Sequence, residues 1–172
     1  MSSEYTPAED TFLLCDYIDT ISGESALEIG SGSGFVTRLL ESRFDFVACT
    51  DIDHTVLRNQ THATENRICC NAADAIHYKF DVIVSNPPYL DTKTIRFLDT
   101  DGGCGGVQVP IIFLRSAVPL LHMNGHIAMV MSSLSRYDLF TQGASGMGLC
   151  SEIVMRRHLF FEDIYIVRVR HL

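Results

Sequence analysis

The sequence predicts an α/β domain built on a seven-stranded, mostly parallel sheet that ends in an antiparallel hairpin, with helices on both faces. Three observations predict it. Five strand-length apolar runs alternate with helix-like segments between residues 25 and 132. Alternate glycines, Gly30, Gly32 and Gly34, follow the first run. Two further strand-like runs, 150–158 and 163–169, are joined by a short turn, which suits an antiparallel pair. A chain of 172 residues that is 47% hydrophobic is expected to form one domain, 1–172, with an ample core.

The first helix is expected over 7–21, with Thr6 as cap and Pro7 in the first turn. Phe12, Leu13, Ile18 and Ile21 can share one of its faces, and Ser22-Gly23 stops it. Residues 1–24 then form a helical segment packed on the domain. Strand 25–29 runs into the glycine turn and a helix through Phe35, Val36, Leu39 and Leu40. Strand 44–50 ends at Asp51, and Asp53 caps a helix over 54–65. A brief strand, 68–71, precedes Asp74, and Phe80–Ser85 is the fourth strand. The loop 90–106 is rich in Asp, Thr and Gly and reads either as a lid or as a long connection. A helix over 109–121 leads to Asn124-Gly125 and a strand over 126–132. A helix over 136–141 and a glycine-rich stretch, 143–148, precede the hairpin. Ligands in such sheets bind beyond the carboxyl ends of the strands. The glycine turn and the segment after Ser85 can meet there.

A net charge of −8 opposes approach to a polyphosphate backbone and weighs against direct nucleic-acid binding. Arg156, Arg157, Arg168 and Arg170 still make the last hairpin locally basic, as a solvated face or as a contact for an RNA-like or acidic partner. No apolar run is long enough to span a membrane, and the first five residues lack the features of a secretory signal. The six cysteines include no Cys-x-x-Cys pair, so no metal site is expected in this chain. Cys15, Cys49 and Cys150 read as small core hydrophobes and Cys104 as exposed, which suits a reducing, cytoplasmic location. His122 and His126 flank Asn124-Gly125 and read as turn and strand-start residues.

A dinucleotide turn would carry Gly-x-Gly-x-x-Gly. Here the spacing is Gly-x-Gly-x-Gly, preceded by Glu28. A carboxylate there repels pyrophosphate and suits a cationic amino acid moiety. S-adenosylmethionine carries such a moiety and no phosphate. Asp51, ending the second strand, is placed to accept from ribose hydroxyls. Asp74 either accepts from the adenine amino group or is a solvated turn acid.

Asn86-Pro87-Pro88-Tyr89 follows the fourth strand directly. The Asn86 side-chain oxygen and the Pro87 carbonyl can accept both hydrogens of a planar amino group. Pro87 and Pro88 stiffen the clamp, since each fixes φ and lacks an N–H. Tyr89 can stack on the planar face. Such a device suits methyl transfer to an amide or exocyclic nitrogen, in which positioning does most of the work. Glutamine amide and adenine N6 both fit it. A lysine amine uses it poorly, and a non-catalytic cofactor-binding scaffold would leave Asn86 and Tyr89 without a task.

Together, the glycine turn and the clamp resemble those of class I S-adenosylmethionine-dependent methyltransferases, which have a Rossmann-like fold. Tyr5-Thr6-Pro7-Ala8-Glu9-Asp10-Thr11-Phe12-Leu13-Leu14 resembles the opening of HemK-type glutamine methyltransferases. The likeness is to the eukaryotic and archaeal branch that modifies class I translation release factors. Leu27 to Gly34, Thr50 to Asp53, Phe80 to Val82 and Asn86 to Tyr89 continue it, as do Asp101-Gly102-Gly103 and Gly106. It weakens after about Ser132.

The resemblance implies methylation of the side-chain nitrogen of the glutamine in a Gly-Gly-Gln loop. It implies cofactor contacts from Thr11, Glu28, the glycines Gly30, Gly32 and Gly34, Asp51 and Asp74, with Asn86 touching both ligands. It also implies pairing with a small zinc-binding activator. The helical substrate domain of bacterial members is absent from this sequence, so substrate recognition is expected from loops or a partner. The third strand should lie at a sheet edge. Its Ile68-Cys69-Cys70 run is short, apolar and uncharged, and is either open to strand addition by that partner or covered by a helix.

Overall fold

The computed structural model describes residues 8–61, 64–94, 96 and 100–172. Its strands are β1 (Gly23–Ile29), β2 (Phe44–Asp51), β3 (Arg67–Cys69), β4 (Phe80–Ser85), β5 (Leu90–Asp91), β6 (Asp101–Gly103), β7 (Leu121–Ser132), β8 (Leu149–His158) and β9 (Asp163–His171). The helices are α1 (Glu9–Ile18), α2 (Phe35–Glu41), α3 (His54–Asn59), α4 (Gln108–Ala117) and α5 (Tyr137–Ser145). Seven strands form one sheet in the order β3-β2-β1-β4-β7-β9-β8. The first five of these run parallel, and β9 is antiparallel to both β7 and β8. The short β5 and β6 pair separately.

Strand alternation divides the core into two. Leu27, Ile29 and Ile83 face Leu114 and Ala117 of α4 and Phe140 and Ala144 of α5. Ala26, Val82 and Val84 face Leu13, Leu14, Tyr17 and Ile18 of α1 and Val36 and Leu40 of α2. Both faces of the central strands are thus covered, which is why they read as nearly continuous apolar runs.

Several boundaries differ from the sequence expectation. Thr6 and Pro7 lie outside the described residues, and α1 ends at Ile18. Phe12 is 43% exposed rather than part of the buried face, and its ring meets Phe35 edge-on. Asp53 caps α3 as expected, accepting from Thr55 N at 2.7 Å. That helix stops at Asn59 because Gln60 is extended and turns its amide inward. The expected strand 68–71 is Arg67–Cys69. β7 begins at Leu121, five residues early, and carries Asn124-Gly125 through a register shift against β4. Gly143 lies inside α5, where a Cβ would collide with Ile111 of α4, so the glycine serves helix–helix approach.

All six cysteines are free; Cys49 is buried and Cys104 exposed, but Cys150 is exposed rather than in the core. His126 lies within β7, 2.8 Å from the Tyr17 hydroxyl, and burial pushes its imidazole down to about 4. The hairpin arginines meet carboxylates of this chain. Arg168 and Arg170 reach Glu152 at 2.9 and 2.7 Å, and Arg157 reaches Glu9 and Asp16 at 2.8 and 2.5 Å. Arg156 lies 3.8 Å from Asp163 and over the Tyr165 ring. Among the described residues, no helix is long and apolar enough to cross a membrane.

Candidate active site

β1 and β4 are parallel neighbours with Ile29 opposite Ser85. The glycine turn and Asn86 therefore leave the sheet side by side at its carboxyl edge. Ser85 Oγ donates to the Ile29 carbonyl at 2.8 Å and ties the two exits together.

Gly30, Gly32 and Gly34 all have positive φ, at 75°, 51° and 77°. At Gly32 a Cβ would meet nothing within 4 Å, so the turn presents bare backbone to open space. Its N–H donates to Asp51 Oδ2 at 2.9 Å, while Asp51 Oδ1 accepts from Asp53 N at 2.9 Å. Asp51 thus holds the turn, and its oxygens keep lone pairs for a further donor. Gln60 Nε2 donates to Ser31 Oγ at 2.9 Å and to the Gly32 carbonyl at 2.6 Å. Nothing in the local sequence distinguishes Gln60, whose partners lie 29 and 28 residues away.

Glu28 is buried on the α1–α2 side and accepts from the Thr37 hydroxyl. Burial pushes its carboxyl up to about 8; the Thr37 bond opposes this and the Asp51 charge adds to it. Among the described residues, no cation acts on it to hold it ionised. A buried carboxyl in that state fits a cationic ligand group, and open backbone at Gly32 fits close approach. The residues present therefore suit an amino-acid-bearing cofactor.

Asp74 is exposed in the turn after β3. It accepts from Asn71 Nδ2 at 3.0 Å and from Ser116 Oγ of α4 at 2.9 Å. Thr50 Oγ1 anchors the same turn over β2 by donating to the Ala72 carbonyl at 2.6 Å. Asp74 is thus joined to α4 rather than to the other predicted site residues.

The clamp is braced by α1. Asn86 Nδ2 donates to Thr11 Oγ1 at a long 3.5 Å, and the Tyr89 hydroxyl donates to Asp10 Oδ2 at 3.2 Å. Asn86 Oδ1 is buried and has no hydrogen-bond partner among the described residues. Pro87 is buried, Pro88 half-buried, and the Tyr89 ring packs against the α1-side core. The Tyr89 carbonyl accepts from Ser135 Oγ at 2.9 Å. The described part of the 90–106 loop packs behind the clamp: Gly102, Gly103, Gly105 and Gly106 are buried there.

A separate groove of about 420 Å³ opens toward the amino ends of β2 and β4, lined by Phe46, Ile68, Tyr78 and Phe80 among others. It borders the edge strand β3 and is remote from the clamp.

Fold and site define a class I methyltransferase, with a glycine turn after β1 and an Asn-Pro-Pro-Tyr segment after β4. The chain belongs to the family described as Eco57I restriction-modification methylase, whose model matches residues 31–146. Its HemK-type resemblance is supported by relatives. It is 26% identical to the putative protein N5-glutamine methyltransferase MJ0928 of Methanocaldococcus jannaschii, over 98% of this chain and 92% of that protein. It is 36% identical to human methyltransferase HEMK2 over 53% of this chain, and spans about half (51%) of that protein. It is also 28% identical to a tRNA1(Val) (adenine(37)-N6)-methyltransferase of Phocaeicola vulgatus, over 81% of this chain and 64% of that protein. In fold it is similar to the E. cuniculi Mtq2–Trm112 complex responsible for methylating the eRF1 termination factor. That match has a TM-score of 0.82 and 24% identity, covering 98% of both chains.

Proposed function

We propose that this chain transfers the methyl group of S-adenosylmethionine to the side-chain amide of the glutamine in a Gly-Gly-Gln loop of a class I translation release factor. S-adenosylhomocysteine is the co-product. The observation that carries the reading is Asn86 Oδ1, a buried acceptor beside the glycine turn that has no partner among the described residues. Such an atom costs stability unless a donor arrives. The hydrogens of a planar –NH₂ are fitting donors. The name of the M. jannaschii relative supports glutamine as the acceptor, and that of the E. cuniculi neighbour supports a translation termination factor as the substrate, which suits a cytoplasmic location.

S-adenosylmethionine, when bound, supplies an electrophilic methyl on a sulfonium. Glu28 receives its ammonium group, Gly30, Gly32 and Gly34 let backbone approach it, and Thr11 and Asn86 line the same end. Asp51 takes the ribose hydroxyls and Asp74 the adenine amino group. Asn86 Oδ1 and the Pro87 carbonyl take the two amide hydrogens and turn the nitrogen toward the methyl carbon. Tyr89 covers the amide face. Attack on that methyl carbon would form an N–C bond as the C–S bond broke, with one nitrogen proton passing to water. The carbonyl dipoles of the clamp stabilise positive charge as it grows on nitrogen.

A small zinc-binding activator docks on β3 in this reading. That strand pairs only with β2 among the described residues, and Ile68 is half-exposed. Phe46 and Tyr78, 37% and 53% exposed, border the adjoining groove.

The second reading is transfer to adenine N6, favoured by the family name and the tRNA-modifying relative. The net charge of −8 and the internally paired hairpin arginines disfavour it. The test offers labelled S-adenosylmethionine with release factor, histone, DNA or RNA, with and without the activator. Label is expected on the release factor. Label on nucleic acid and none on release factor overturns the proposal.

A further inference from the structure

We propose that Ser135 is a positioning residue for methyl transfer, which fixes the exit of the clamp through the Tyr89 carbonyl. The inference rests on transfer through the Asn86 clamp, whichever nitrogen accepts the methyl.

The clamp has an unusual backbone problem. Its entry is held by β4 and by the Ser85–Ile29 bond. Pro87 and Pro88 then offer no N–H, so hydrogen bonds donated by these two residues cannot orient the peptide planes. Orientation must come from the carbonyl side and from packing. Ser135 provides the first: its buried hydroxyl donates to the Tyr89 carbonyl at 2.9 Å. It is held in turn by its own N–H on the Ser132 carbonyl at 3.0 Å, at the end of β7. The 101–106 segment provides the second. A Cβ on Gly102 would lie 2.8 Å from Tyr89 Cα, and one on Gly106 (φ +65°) would overlap the Tyr89 carbonyl oxygen.

The two supports are also joined to each other. Arg136 N, next to Ser135, donates to the Gly105 carbonyl at 2.8 Å, and Gly105 N donates to Asp91 Oδ1 at 2.8 Å. Leu90 N reaches the Thr100 carbonyl at 3.1 Å and Thr92 N the Gly103 carbonyl at 3.1 Å. The turn after β7 therefore grips both the clamp and the glycine segment behind it. Its contribution is to hold the Pro87 carbonyl and Asn86 in one geometry. Misplacement of a reacting group by about 1 Å can slow a reaction about a hundredfold.

The test compares Ser135→Ala, Ser135→Thr and Gly106→Ala with the wild type. Single-turnover rate, kcat, KM for the acceptor and Kd for S-adenosylmethionine are measured, with thermal midpoint and amide exchange at Leu90 and Thr92. Ser135→Ala and Gly106→Ala are expected to lower kcat about tenfold or more, with KM and cofactor Kd within about twofold. Exchange at Leu90 and Thr92 should quicken, and Ser135→Thr should restore the rate. A kcat for Ser135→Ala within about twofold of wild type overturns the proposal. So does a loss that Ser135→Thr fails to restore, or one matched by falling midpoint and weaker cofactor binding. If the wild type labels no acceptor, the transfer reading itself fails. Amide exchange then decides Ser135: unchanged protection in Ser135→Ala overturns its role and faster exchange supports it.

Discussion

The Tyr89 hydroxyl donates to the Asp10 carboxylate at 3.2 Å, across 79 residues of sequence. Thr11, beside Asp10, accepts from Asn86 at 3.5 Å. Both functional side chains of the clamp are thus braced by the first turn of α1. The ring and the brace should separate by substitution. Tyr89→Phe keeps the ring and loses one hydrogen bond, so kcat/KM should fall about fivefold. Tyr89→Ala removes the stacking face as well and should cost about 10- to 100-fold. Equal effects of the two would show that the ring face does not contribute.

Glu28 makes stability depend on pH and, in the proposed function, cofactor binding as well. Its folded value of about 8 lies above the ordinary 4.5, so the native state binds more protons across that window. The Glu28 contribution to stability is present below 4.5 and is lost as pH rises through about 8, on the order of a few kcal/mol. Glu28→Gln should flatten this fall. An ammonium group beside Glu28 favours its ionised form, so binding of S-adenosylmethionine at pH 7 should release a fraction approaching one proton. Calorimetry in buffers of differing ionisation enthalpy reads that proton. Its absence in the wild type would remove Glu28 from the cofactor site.

The proposed partner surface is tested at Tyr78, which is 53% exposed and whose ring packs on Phe46 and Phe80 beside the groove. Tyr78→Glu places a charge in an apolar contact and should abolish co-purification with the activator. Binding of S-adenosylmethionine should be unchanged, because Tyr78 packs on Phe46 and Phe80 near the amino ends of β2 and β4, whereas the glycine turn follows the carboxyl end of β1. Undiminished co-purification would move the contact away from β3.

Features set by local chemistry were legible in the sequence. Asp53 as a cap, the glycine turn and the strand ending at Asn86 each follow from adjacent residues. Features set by distant partners were not. Gln60 ends α3 because its amide finds Ser31 and Gly32, and Ser135 matters because Tyr89 lies 46 residues before it. Asn124-Gly125 reads as a turn ahead of a strand starting at His126, yet β7 already begins at Leu121 because that residue pairs with Phe80 of β4. The loop 90–106 reads as a lid or a connection, while the buried packing of Gly102 and Gly106 against the Tyr89 backbone makes that part of it a support.

Asn86→Ala tests the central claim most directly. The variant loses the buried Oδ1 acceptor and the bond to Thr11, and leaves the glycine turn, Asp51 and Glu28 in place. Single-turnover transfer from labelled S-adenosylmethionine to release factor should slow about 10²- to 10³-fold, with cofactor binding largely intact. Turnover at the wild-type rate would contradict the clamp.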